Sequence, residues 1–341
     1  MRPGWTGVDL FFVISGFLIS GLLFEEFQQR GQINFGRFAI RRALKLYPAL
    51  YVLVFGVMVV HLIHPGSQSV SDILTPLVHD LLFLQSYFPG TYGHFWSLSV
   101  EEHFYVLLPL TLYFMLRRAR AQDADPFRRL PMAFLFVAVF CFSVRLVHAL
   151  MVQPYECLTH LFHTHLRLDS LLFGVVLSYW RRFRPERFQS IAGRFGRFLL
   201  PVSLVFVSAG FVWEQSDFFM YTAGLTILYL GYGGLLIGLL EIPETKESPF
   251  GWLLKACSYV GQHSYSIYLF HIPVMAQLRR AGLLHGWPGM AVYFVSSLVI
   301  GILLSKLIEF PVLNLRDRFF PRQAGAGLPD RAEPSRSSVA A

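Results

Sequence analysis

Long apolar blocks, such as Val8–Phe24 and Val292–Leu304, recur along the chain and are separated by short basic clusters. Crossing lipid takes roughly 17–25 mostly apolar residues, and there only helices or closed barrels satisfy the backbone. Barrel strands alternate over about ten residues, and these blocks are too long and too continuous for that. The fold class expected is therefore all-α, a polytopic transmembrane helix bundle. Composition agrees: 54% of residues are hydrophobic, 15% are charged and the mean hydropathy is +0.50. A soluble domain carries roughly 25% charged residues.

Run length predicts about nine spans, near 8–24, 47–63, 96–116, 131–151, 166–180, 198–213, 219–240, 257–275 and 290–308. Residues 27–46 are basic and amphipathic, a pattern suited to lying along the membrane surface. Residues 64–95 read as an outer loop with an apolar stretch at Leu81–Leu84 too short to span. Residues 1–315 form the membrane domain, and 316–341 read as a disordered cytoplasmic tail rich in Gly, Pro, Ser and Ala.

The net charge of +8 could suggest nucleic acid, but the basic residues sit between spans, where the positive-inside rule puts them. Alternating spans put 24 Lys and Arg on one side and three, Arg2, Arg279 and Arg280, on the other. The basic side is then cytoplasmic, in an inner membrane crossed many times, and no nucleic-acid partner is expected. The same charges put residue 1 outside the cytoplasm, so the expectation is that one upstream helix is missing from this sequence. The three cysteines show no metal-ligand spacing; two lie in or beside apolar blocks and read as small core residues. No metal is expected.

An ionisable group within a span costs free energy and is a functional candidate by default. Asp9, Glu101, Glu102, His103, Arg145, His148, Arg167, Asp169 and His271 all fall towards the outer ends of spans, as a cavity open to the outside requires. Snorkelling to headgroups is the bland alternative, least fitting for the short Glu101. Glu309 is alone at the cytoplasmic end of the last span. Arg37, Arg41, Arg42 and Lys45 precede Tyr47–Pro48, and 37, 41 and 45 share one helical face. Such a row suits phosphate, or simply anionic lipid.

Four stretches resemble membrane acyltransferase family 3, O-acyltransferases of surface sugars: Gly7–Ser20, Phe38–Pro48, His94–Tyr105 (with the pattern Trp96, Ser97, Leu98, Glu101) and His263–Pro273. Weaker echoes are Arg167–Gly174 and Ile308–Pro311. The resemblance runs from about residue 5 to 315 and implies a ten-span pattern. It implies a cytoplasmic acyl-CoA donor, usually acetyl-CoA, and a carbohydrate acceptor outside. Arg37, Arg41, Arg42 and Lys45 then bind the donor phosphates, with Arg41 and Arg42 matching the family's pair and Lys45 standing where a third arginine is usual. Glu101 and His94 become catalytic candidates, and Trp96, Ser97, Asp9, Arg167, Tyr265 and His271 candidates for substrate binding. The family's first helix carries an arginine and, ten residues between, a histidine thought to be the base; both are absent here. The activity of a chain lacking them is an open question, with His94, His103 or His271 as substitute bases. A transporter of polysaccharide or its lipid carrier, or an inactive truncated form, is the alternative. Any soluble partner would be a separate chain.

Overall fold

The computed structural model describes residues 4–63, 69–119, 123, 125–240 and 251–321. Among these there is no strand, and the architecture is a helix bundle. The helices are α1 (Gly7–Arg30), α2 (Phe35–Ile63), α3 (Val70–Leu81), α4 (Trp96–Arg118), α5 (Leu130–Met151), α6 (Leu168–Phe183), α7 (Pro185–Val212), α8 (Leu225–Leu240), α9 (Gly251–Gln262), α10 (Ser264–Arg280), α11 (Gly286–Leu304) and α12 (Phe310–Phe319).

Five stretches are long and apolar enough to cross a membrane: Gly4–Arg30, Phe35–His61, Leu130–Met151, Met220–Leu240 and Gly286–Phe319. The bent α7 would make six. Length and apolarity therefore do not reach nine. The 23-residue α4 carries Glu101, Glu102 and His103 near one end and Arg117–Arg118 at the other, while α6 and α10 have only 16 and 17 residues. The stretch read as one span at 257–275 is instead two helices, α9 and α10, divided at His263.

Central α1 is shared by two apolar cores. Its Phe12, Ile19, Leu23 and Phe24 pack with α2, α4 and α10, and its Val13 and Phe17 pack towards α7 and α8. It meets α6 backbone to backbone: a Cβ on Gly16 would lie 1.9 Å from the Leu171 carbonyl oxygen, and one on Gly174 would lie 2.1 Å from that of Val13. Small residues allow this approach in membranes. Helices α5 and α11 are peripheral and turn Leu135, Phe136, Phe294 and Val295 outward, as lipid-facing helices do.

Two local expectations change. No separate surface helix occupies residues 27–46. Helix α1 runs to Arg30 and stops at Gly31, which takes the left-handed conformation (φ 68°) that glycine adopts without strain. Helix α2 then begins at Phe35 and continues past Pro48, so the basic row forms the first turns of a long membrane helix. The loop expected at 64–95 contains α3, opened by a reciprocal capping box between Ser69 and Asp72. Of the cysteines only Cys141 is buried; Cys257 lies exposed on α9. The tail expectation falls mainly outside the described residues, although Arg316–Phe319 still belong to α12.

Candidate active site

Residues four apart on a helix lie on one face, and α4 uses this to line up Ser97, Glu101 and Tyr105. Glu101 is buried at 3% exposure. It accepts a 2.5 Å hydrogen bond from Ser15 Oγ of α1 and a second, short one from the Tyr105 hydroxyl one turn on. The Ser15 and Tyr105 oxygens are themselves 3.2 Å apart. Both bonds converge on Oε1, and donors of this kind offset the cost of holding a carboxylate out of water. The neighbouring Glu102 faces α2 and accepts from the Tyr47 hydroxyl at 3.1 Å. Tyr265 of α10 donates to the Leu46 carbonyl at 2.5 Å.

The basic row is not uniform. Arg37 pairs with Glu26 at 3.2 Å, Arg41 with Asp317 at 3.0 Å, and Lys45 with Glu309 at 2.5 Å. Arg41 also donates to the Phe320 carbonyl. So the three residues that share a face are each tied to a carboxylate of another helix or helix end. Arg42, about 100° round from Arg41, is the exception. Its guanidinium lies 5.8 Å from the centres of both the Phe38 and Tyr105 rings, and no carboxylate pairs with it among the described residues. Arg42 thus touches the tyrosine that touches Glu101. Glu309, the ionisable residue placed at the cytoplasmic end of the last span, is fully enclosed: besides Lys45 it accepts from Ser266 at 2.9 Å and Ser305 at 3.1 Å.

At the other end of α4, the short turn Gly93–Phe95 holds His94 against α10. Its Nε2 lies 3.2 Å from the Leu269 carbonyl. A carbonyl only accepts, so Nε2 carries the proton and Nδ1 keeps its lone pair; Nδ1 is buried without a hydrogen-bond partner. Burial first, and then the neighbouring His271, push the His94 pKa down to about 3, so the ring is neutral near pH 7. The His271 ring packs edge-on at 4.9 Å. Tyr268 ties this group to α4, its hydroxyl donating to the His94 carbonyl at 2.7 Å and lying 2.5 Å from Ser97 Oγ.

The remaining predicted residues gather elsewhere. Asp9 and Arg167 form a buried pair at 2.7 Å, with the Arg167 guanidinium 5.6 Å from the Trp96 ring centre. Trp96 stacks on Phe162 at 4.7 Å. Arg145 pairs with Asp169 at 2.6 Å and donates to Thr226 at 2.9 Å. The grouping of His94, Trp96 and Glu101 therefore divides. Trp96 and Ser97 point to different faces of α4, and Glu101 lies more than a turn deeper, beside the basic row. Sequence reasoning did not find Ser15, Tyr105, Tyr47, Tyr268, Ser266 or Ser305. The four-residue spacing of 97, 101 and 105 was a readable signal for Tyr105. Among the described residues no group of three or more His, Cys, Asp and Glu is placed to hold a metal.

Residues 4–306 match the acyltransferase domain family. The chain belongs to this family. It is 26% identical to a Staphylococcus aureus (strain MRSA252) protein provisionally named an O-acetyltransferase, over 94% of this chain and 56% of that protein. It is 25% identical to the O-acetyltransferase OatA of S. aureus strain NCTC 8325, over 95% of this chain and 56% of OatA. It thus spans about half the length of these curated relatives. No solved structure matches the chain. Family membership and the apolar helices make it a multi-pass membrane protein of the acyltransferase family.

Proposed function

We propose that the chain is an inner-membrane O-acetyltransferase. It takes the acyl group from acetyl-CoA on the side of the basic row and gives it to a hydroxyl of an envelope or exported glycan on the side of His94. The names of its relatives support the acetyl group. The observation that carries the reading is the contact sequence Arg42–Tyr105–Glu101–Ser15, which brings an unpaired cation of the basic end to a buried carboxylate within the bundle.

Donor binding falls to Arg42 first, because its guanidinium keeps its donors for a phosphate. Arg37, Arg41 and Lys45 surround it and add charge while holding their own carboxylates. In the reaction the acceptor hydroxyl oxygen attacks the thioester carbonyl. Its C–O bond forms, the C–S bond breaks, and the coenzyme A thiolate leaves. The hydroxyl proton passes to a base and from there to the thiolate. His94 and Glu101 are the candidate groups for this transfer. A ring as acidic as His94 accepts a hydrogen bond more readily than a proton, so His94 suits holding the acceptor glycan at the outer end, and Glu101, deeper and beside the basic row, suits the proton of the attacking hydroxyl. Ser97 and His271 stand beside His94, Trp96 lies against the Arg167–Asp9 pair, and Tyr265 is at the basic end, bonded to the Leu46 carbonyl. The alternative, a transporter of polysaccharide or its lipid carrier, needs no acetyl-CoA.

The test is transfer of labelled acetyl from acetyl-CoA to envelope glycan, in a strain without its own such enzyme. Glu101→Gln should abolish transfer while the protein still inserts at normal level. Undiminished transfer by that variant would reduce Glu101 to a structural residue and remove the reading's main support.

A further inference from the structure

A cavity of about 620 Å³ lies apart from the groups used above, between the end of α2 that carries His61, α3 and the last turns of α10. Its walls are mostly apolar, with Leu53, Val57, Leu77 and Phe270 on the three helices. Val52 and Val60 also line it and are 51% and 54% exposed, so the cavity opens sideways along the apolar outer face of α2. In a membrane that face meets lipid tails. A cavity of this size is within the range of ordinary small-molecule sites, roughly 300–1,000 Å³.

One end of this groove is cationic. Arg280, the last residue of α10, lines it and is exposed, with no hydrogen bond or ion pair among the described residues. Helix α10 starts beside Glu309 and Lys45 and ends beside His61, so Arg280 is at the end of the bundle opposite the basic row. Few basic residues of this chain belong there. The acidic group in the lining, Asp72, is already engaged by the Ser69 amide and hydroxyl at 3.1 and 2.6 Å. The groove also has a wall in common with the candidate site. Tyr92 lines it and lies 5.9 Å from the His94 ring, and Phe270 separates Leu269, whose carbonyl faces His94, from His271.

We propose that this groove binds an anionic membrane phospholipid. One acyl chain lies between α2, α3 and α10, and the headgroup phosphate pairs with Arg280. The apolar walls and lateral opening fit a chain entering from the bilayer, and the unpaired guanidinium fits the phosphate. The inference does not depend on the transferred group or on the acceptor.

The experiment uses the full chain in nanodiscs containing a photoactivatable phosphatidylglycerol, or the matching phosphatidylcholine, with labelled peptides identified by mass spectrometry. Phosphatidylglycerol should label the groove segments of α2, α3 and α10 in preference to phosphatidylcholine. Arg280→Ala should weaken that labelling about fivefold, the effect expected of one basic residue at a lipid surface. Arg280→Lys should retain most of it, and Ala276→Trp, which fills the groove, should remove it. Equal labelling by the two lipids, or labelling indifferent to Arg280→Ala, would reduce the groove to ordinary lipid contact and overturn the proposal. So would displacement of the label by inorganic phosphate alone, or label confined to other helices.

Discussion

Lys45 of α2 and Glu309, at the junction of α11 and α12, form an ion pair of 2.5 Å across 264 positions of sequence. The carboxylate is fully buried while the ammonium is 29% exposed. Ser266 and Ser305 satisfy the second carboxylate oxygen. The pair joins α2, α10 and α11 at the end where the donor is proposed to bind. Removing one partner of a buried pair strands the other charge. Glu309→Ala strands an ammonium that is part-exposed and should destabilise the protein by about 1–3 kcal/mol, read as a fall in the thermal midpoint in detergent. Lys45→Met in the same background should recover part of the loss. Strict additivity of the two changes would mean that the pair is not coupled.

The contact of α1 with α6 leaves no room for a side chain. Gly174→Ala would place a Cβ 2.1 Å from the Val13 oxygen and 2.7 Å from the Phe17 nitrogen, both backbone atoms that cannot rotate away. Overpacking a well-filled core typically costs about 1–3 kcal/mol, and a backbone clash belongs at the upper end. Folded yield after detergent extraction should fall sharply. Gly193→Ala, where nothing lies within 4 Å, is the matched control and should extract like the parent.

Much of this bundle is legible in the sequence, for identifiable reasons. Helices α1, α2, α5, α8 and α11 announce themselves because lipid forces a long apolar run. Helix α3 does not, because its twelve residues follow turn formers and contain Pro76, and its start depends on the reciprocal Ser69–Asp72 cap. The site is half legible. Family-like motifs pick out Glu101, His94 and the basic row. Local spacing says nothing of Ser15, which reaches Glu101 from 86 residues away, or of which basic residue is left unpaired. That difference comes from one step of helix rotation between Arg41, facing Asp317, and Arg42, facing Tyr105.

The same rotation separates two substitutions. If Arg42 supplies the free phosphate donors, Arg42→Ala should raise the KM for acetyl-CoA about tenfold or more, the loss of one hydrogen-bonded charge contact. The KM for the acceptor should change little. Arg37→Ala should have a smaller effect on the donor, because Arg37 is already committed to Glu26. Measuring acetyl-CoA dependence in membranes for the two variants decides the matter, and equal effects would mean that the row acts only through its total charge.

His163 lies in the segment between α5 and α6, with its ring stacked on Tyr87 at 5.0 Å and 5.2 Å from His165. Burial first, and then the neighbouring His165, His148 and His160, push its pKa down to about 4. The folded protein thus holds this ring neutral, whereas an unfolded chain protonates it near its ordinary value of about 6.5. The stabilising contribution is present above pH 6.5 and is lost as pH falls towards 4, because the unfolded state then takes up a proton that the folded state refuses. The ring is only partly buried, so the effect is modest. Thermal midpoints in detergent from pH 8 to pH 4.5 should fall on acidification, and His163→Gln should lessen that fall. If the two curves run parallel, His163 is not among the groups that set the acid sensitivity of this face.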